Sequence, residues 1–245
     1  MTQPQIRRQD KEERPTPIGP SSMRILAVSD EVNDLLYRPT FLNKIKPIDV
    51  LLGCGDLPYT YMEYLVTQTL APDAFFVHGN HDCAQRMGNG RILNAPGGWV
   101  NVDRSTVRTR DQALIVAGLE GSIRYCRQGA YQYTESEMRL RAQTLILKLI
   151  VNRIRHDRAL DVFITHAPPR HIHDSPEGAH RGFETFVRII DRFNPRLFLH
   201  GHHHMYGTRG WHSQYGETHV VNVHPYRILD VGEHHITIDD IPIES

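Results

Sequence analysis

The chain has 245 residues, 40% of them apolar, enough to bury one substantial core as a single α/β domain. Lys plus Arg and Asp plus Glu stand equal at 28 each, which argues against a general attraction to nucleic acid or an anionic membrane and leaves room only for a local basic groove. The N-terminus lacks an apolar signal core, and no apolar run approaches the roughly 20 residues that span a bilayer, so a soluble, cytoplasmic protein is expected.

Residues 1–22 are charged, rich in Pro and without apolar period, the composition of a disordered tail, and residues 23–245 form the expected domain. From there apolar and helical stretches alternate: "RILAVS", a helix near Thr40, "VLLGCG", a helix in "TYMEYLVTQTL", then "AFFVHG". Such alternation predicts right-handed βαβ units and a mostly parallel, buried sheet. "CAQRMGNGRILNAPGGWVN" reads as a long surface loop, and "STVRTRDQALIVAGLEG" as a two-stranded hairpin. Thr134 with Glu137 three residues on is a capping box, and it opens one long amphipathic helix with Met138, Leu140, Leu145, Ile146, Leu149 and Ile150 as its core-facing residues. "DVFITHAPP", a helix near "FETFVRIIDRF" and "RLFLHGHHH" resume the alternation, and "THVVNVHPYRILDVGEHHITIDD" predicts two or three antiparallel strands turning at "HP" and "GE".

Cys54, Cys83 and Cys126 are odd in number and lack metal-pair spacing, so free thiols are expected. The compositional excess lies elsewhere, in 16 histidines. Each confident strand ends in residues able to bind metal: Asp30, Asp56, Asn80 with His81, His166, and His202 with His204. Ligands collect beyond the carboxyl ends of strands in α/β sheets, so these distant residues can converge. Carboxylate, amide oxygen and imidazole without thiolate suit Mn, Fe, Zn or a comparable divalent ion.

The motifs "SD" at Ser29, "GD" at Gly55, "GNHD" at Gly79, "TH" at Thr165 and "GHHH" at Gly201, in that order, resemble the calcineurin-like metallophosphoesterases. The resemblance implies a two-sheet β-sandwich flanked by helices, and hydrolysis of a phosphoester by a metal-bridging hydroxide. It implies two divalent ions. Asp56 would bridge them, Asn80, His166 and His202 would hold the second, and Asp30 and His204 the first. His81 would contact the phosphate and protonate the leaving oxygen, with Asp82 helping to orient it.

Two departures stand out. The family's first motif is Asp, any residue, His, and here Val32 occupies the histidine position. After "GD" many members carry a further acid, where this chain has Leu57, Pro58 and Tyr59. The first ion therefore lacks a protein ligand and is expected to bind more weakly, its shell completed by water or by Asn33 or Asp34, with Glu31 a reserve candidate. The alternative is a mono-metal or catalytically impaired member acting as a binding scaffold.

Other polar residues have simpler readings. His78 reads as a satisfied core histidine, and His203 as exposed or in contact with a ligand rather than ligating. His171, His173, Arg170 and Arg181 read as a solvated loop beyond His166, and His212, His219, His224, His234 and His235 as structural or exposed. Arg124 and Arg127 interleaved with Tyr125, Tyr131 and Tyr133 form a rim that covers the long helix or, on a second reading, stacks on a base. A small phosphoester or nucleotide-like substrate is expected; long nucleic acid is disfavoured by the neutral charge.

Overall fold

A computed structural model describes residues 22–176, 178–204 and 210–239, so all but Ser22 of the expected tail lies outside the described residues. The strands are β1 Met23–Val28, β2 Val50–Gly53, β3 Asp73–Phe76, β4 Gln85–Arg86, β5 Ile92–Leu93, β6 Val100–Asn101, β7 Ser105–Arg108 and β8 Ile115–Leu119. They continue with β9 Ser122–Ile123, β10 Gln132–Tyr133, β11 Val162–Thr165, β12 Leu197–His200, β13 His212–Tyr215, β14 Thr218–Asn222, β15 Tyr226–Val231 and β16 Ile236–Asp239. The helices are α1 Pro39–Ile45, α2 Tyr59–Thr69, α3 Glu135–His156 and α4 Glu184–Phe193.

Two six-stranded sheets stack face to face, ordered β16-β15-β1-β2-β3-β6 and β13-β14-β12-β11-β8-β7. In the first, β1, β2, β3 and β6 run parallel and β15 joins β1 antiparallel; in the second, β14, β12, β11 and β8 are parallel. The alternation of side chains along a strand decides which layer each residue enters. Ile25, Ala27, Val50 and Leu52 meet Val116, Val162, Ile164 and Leu199 between the sheets. Leu26, Val28 and Leu51 face outward onto Leu42 of α1 and Tyr61, Met62 and Leu65 of α2. Phe163 and Phe198 pack on α3 and α4 through Leu145, Leu149, Phe186 and Ile190.

The expected capping box is present: Thr134 accepts from the Glu137 amide and Glu137 accepts from the Thr134 amide. Leu140 departs from expectation. It is 66% exposed, because two residues advance a helix by about 200° and carry it to the face opposite Met138.

Two further expectations need correction. The segment 83–101 is not an unstructured surface loop: β4 and β5 pair antiparallel within it, Leu93 and Trp99 are buried, and β6 extends the first sheet beside β3. Trp99 Nε1 donates to the Met62 carbonyl at 2.9 Å, which fastens the segment to α2. The "HP" turn joins no hairpin. β14 pairs parallel with β12 in one sheet and β15 antiparallel with β1 in the other, so the chain crosses between layers at His224. Val220, Val221, Asn222 and Val223 are all buried, and a strand covered on both faces has no alternation to reveal its partners.

Candidate metal centre

Because β1, β2 and β3 are parallel, their carboxyl ends lie at one edge of the first sheet; β11 and β12 bring His166, His202 and His204 to the facing edge of the second. The chain turns sharply at each of these ends. Asp30, Asp56 and His202 have left-handed φ values of 65°, 57° and 65°, a conformation costing a non-glycine residue roughly 1 kcal/mol or more. Hydrogen bonds hold them there: the Asp30 amide to the Gly55 carbonyl at 3.1 Å, the Asp56 amide to Asp82 Oδ2 at 3.0 Å, and the His202 amide to both Asp30 oxygens at 2.9 and 3.0 Å. Glycine is required where loops close in: a Cβ at Gly79 would collide with the Asp56 carboxylate, and one at Gly201 with Ser29 and Asp30.

His166 is fully buried, and its Nδ1 lies 2.8 Å from the Cys54 carbonyl. A carbonyl only accepts, so Nδ1 carries the proton and Nε2 presents its lone pair. That Nε2 lies 2.9 Å from Asn80 Oδ1 and 3.2 Å from Asp56 Oδ2, both acceptors themselves. The Asn80 amide is turned this way by its Nδ2, which donates to Tyr125 Oη at 2.9 Å. His202 has the opposite tautomer: Nε2 donates to the Ala179 carbonyl at 2.7 Å, leaving Nδ1 as its lone-pair nitrogen. Asp56, His166 and His202 each offer a ligand atom, all within 4.8 Å of one another. Backbone bonds of this kind orient histidines toward a metal and raise their basicity.

Burial opposes a charged His166, but the adjacent Asp56 carboxylate and Asp30 outweigh it and raise its pKa to about 9. Burial likewise pushes Asp56 up, while His166 and the His81 amide pull it below its ordinary value. Asp30 is driven below the usual carboxylate range despite burial, by His204, His166, Ser29 and the His202 amide. Burial and the neighbouring His166 push His202 down to about 3.

His204 Nε2 is 3.6 Å from Asp30 Oδ1. Asp30, Asp56, His202 and His204 line a cavity of about 290 Å³ together with His81, Ala179 and His180. His81 is exposed there, and its amide donates to Asp56 Oδ1 at 2.8 Å. Asp82 is buried, and its Oδ2 accepts from the Asp56 and Gly79 amides at 3.0 and 2.8 Å, so its carboxylate ties together the two loops that carry Asp56 and Asn80. Among the described residues no Lys or Arg lines the cavity. Carboxylate and amide oxygens with imidazole lone pairs, and no resident cation, fit divalent metal.

Sequence reasoning missed His180 and the contact of Tyr125 with Asn80. His180 stacks on His203 at 5.2 Å and 16° and lies 5.0 Å from the His202 ring; no spacing pattern marks it. The rim covers the long helix in part. Tyr133 supports α3 through Arg141, 4.2 Å over its ring, whereas Tyr125 reaches Asn80. His78 is a core histidine only half satisfied: its Nδ1 lies 3.0 Å from Glu120 and its ring stacks on Tyr131, while its buried Nε2 has no hydrogen-bond partner among the described residues. His203 Nδ1 donates to the His173 carbonyl, and His173 is not a solvated loop residue: it bonds His200 at 3.0 Å and Ser213 at 2.8 Å. The three cysteines are free.

Two mixed sheets enclosed by helices, with acids and histidines meeting at the strand ends, constitute the architecture of a metallophosphoesterase. The profile of the family described as calcineurin-like phosphoesterase matches residues 23–206, and the chain belongs to that family. No curated protein matches the chain. Among solved structures, TT1561 of Thermus thermophilus is similar, with a TM-score of 0.59 and 19% identity over 90% of this chain and 99% of that one. GAP50, described as the anchor in the inner membrane complex of Plasmodium, gives a TM-score of 0.53 and 10% identity over 89% and 84%. Among the described residues no helix is long and apolar enough to cross a membrane.

Proposed function

We propose that the protein hydrolyses a small phosphoester with two divalent ions, Asp56 shared between them, Asn80, His166 and His202 on the second, and Asp30 and His204 on the first. The observation that carries this reading is the convergence of His166 Nε2, Asn80 Oδ1 and Asp56 Oδ2 at 2.9 and 3.2 Å, three acceptors that only a cation or an added proton can satisfy. Bound Mn, Fe or Zn would polarise a phosphoryl oxygen and acidify a water. The chain's own part is to orient these donors and manage the proton. His81, exposed at the cavity with its amide anchored on Asp56, donates a proton to the leaving oxygen as the bond from phosphorus to that oxygen breaks. His180, on the same cavity, is placed to bond a phosphoryl oxygen. Asp82 positions Asp56 and Asn80 through the loop backbone. Tyr125, 47% exposed beside Asn80, offers an aromatic face that suits a nucleotide-like ester.

Purified protein supplied with Mn should turn over a chromogenic phosphodiester or monoester, and comparison of the two esters assigns the class. Asp56→Ala should lower the rate by roughly 1000-fold, equivalent to several kcal/mol of lost charge stabilisation. His81→Ala should lower it about 100-fold with metal content unchanged. The competing reading, a non-hydrolytic scaffold, draws on Val32 in the first motif. Absence of turnover with Mn, Fe or Zn would favour it.

A further inference from the structure

The outer face of α3 carries an apolar stripe that the fold leaves uncovered. Met138, Ala142, Leu145 and Leu149 take the inner face and are buried. Leu140 and Leu147 are each 66% exposed and Ile154 80%, with Val151 exposed between them. With Thr144 these residues recur at steps of four, three, four and three, the spacing of a seam that meets another helix. Apolar residues scattered singly over a surface need no explanation; a run of about 21 Å along one helix face does. The stripe borders a groove. Two concavities of about 370 and 320 Å³ follow one another along α3 and share Leu147; Arg104 walls the first on its far side and Thr106 of β7 the second. β7 ends the second sheet, so among the described residues no strand lies beyond that wall.

Charge selects the occupant. The chain as a whole is neutral, yet from Met138 to His156 α3 carries Arg139, Arg141, Lys148, Arg153 and Arg155 and no acid. Arg141 is neutralised by Asp103 and Glu120, whereas among the described residues Lys148 and Arg155, which line the second concavity, form no ion pair. A second copy of this chain fits poorly: an antiparallel pairing centred on Leu147 sets Arg155 against Arg139 and brings the two Lys148 side chains together, and a parallel one sets each cation beside its own copy. A bilayer surface would meet the stripe but would not fill concavities walled by Arg104 and Thr106. We propose that this groove docks an acidic amphipathic helix of a partner protein, its apolar side chains entering the two concavities on either side of Leu147 and its carboxylates meeting Lys148 and Arg155.

The probe is a labelled, end-capped peptide of about 18 residues, long enough to span the stripe, with Leu at the seam positions of a heptad and Glu on its flanks. A second peptide with Lys for every Glu is the control. In fluorescence anisotropy the Glu peptide should bind the full chain saturably and the Lys peptide should not. Leu147→Ser should weaken the Glu peptide at least ~10-fold, as loss of a central apolar anchor does. Lys148→Glu combined with Arg155→Glu should invert the preference, so that the Lys peptide binds and the Glu peptide does not. Leu147, Lys148 and Arg155 are exposed, so melting of these variants should stay close to that of the wild type. No binding of the Glu peptide, equal binding of the two peptides, or binding indifferent to Leu147→Ser would overturn the proposal. A concentration-dependent dimer in sedimentation that Leu147→Ser dissolves would give the face to a second copy instead. Flotation with phosphatidylserine vesicles that the same variant abolishes, with no peptide bound, would give it to a membrane.

Discussion

Two polar clusters lie beyond strand ends in this protein, and they are built on opposite principles. In the one around Glu120, after β8, every acid meets a cation or donor of the chain itself. Glu120 accepts from Arg141 at 2.6 Å, Tyr133 at 2.9 Å and His78 at 3.0 Å, while Asp103 accepts from Arg141 at 2.6 Å and Arg104 at 3.0 Å. Burial pushes Glu120 up, but His78, Tyr133 and Arg141 draw it below its usual value. Among the described residues the cavity cluster has Asp30, Asp56 and several histidines but no guanidinium or ammonium, and the positive charge these residues carry in the metal-free protein is protons on groups such as His166. A closed ion network is structural; a cluster of acceptors awaiting a cation is a binding site.

The contrast can be broken experimentally. Arg141→Ala leaves Glu120 and Asp103 buried without their shared cation and should destabilise the fold by about 3 kcal/mol in denaturant titration, with Mn affinity unchanged. If Mn affinity fell equally, the two clusters would be one.

The second prediction concerns His166 and pH. Its pKa is raised to about 9 in the folded, metal-free state, so the stability it contributes is complete below its unfolded value near 6.5 and disappears as pH rises through about 9. Melting of metal-free protein should therefore fall between pH 6.5 and 9.5, by up to ~3 kcal/mol. Mn must displace that proton, so its affinity should rise with pH across the same interval, with proton release visible when buffers of different ionisation enthalpy are compared. The Glu120 cluster works with the opposite sign. Its lowered carboxyl contributes stability that is present above its unfolded value near 4.5 and lost as pH falls further, so Glu120→Gln should lower stability at neutral pH and flatten the acid limb.

The smallest effect sharpens the boundary between the clusters. Tyr125→Phe removes the acceptor that fixes the Asn80 amide and should weaken one Mn about 10-fold without shifting the melt, because Tyr125 is largely exposed. An unchanged affinity would return Tyr125 to the rim.

Much of this was legible beforehand, for definable reasons. Strand ends in an α/β chain are marked by abrupt changes from apolar to polar residues, and Asp30, Asp56, Asn80 and His166 each follow such a change. The β14 to β15 connection was misread because Val220 to Val223 are buried on both faces and carry no alternation. Trp99 and Leu93 were hidden among Gly and Asn, which signal turns irrespective of what lies between them. His180 was unmarked, and the partners of Tyr125 and His224 were illegible, because the contacts of these residues, to His203, Asn80 and His204, span long stretches of chain.

By itself the sequence determined the alternation of elements, the cap of α3 and the kinds of donor at each strand end, since local periodicity and residue chemistry are properties of short segments. Which donors meet was decided by tertiary structure. The layering of two sheets brings His166 within 3.2 Å of Asp56, more than a hundred residues away in the chain, and directs Val32 into the core while Glu31 meets His224. Distances of that kind arise only when burial of the shared core holds both sheet edges together.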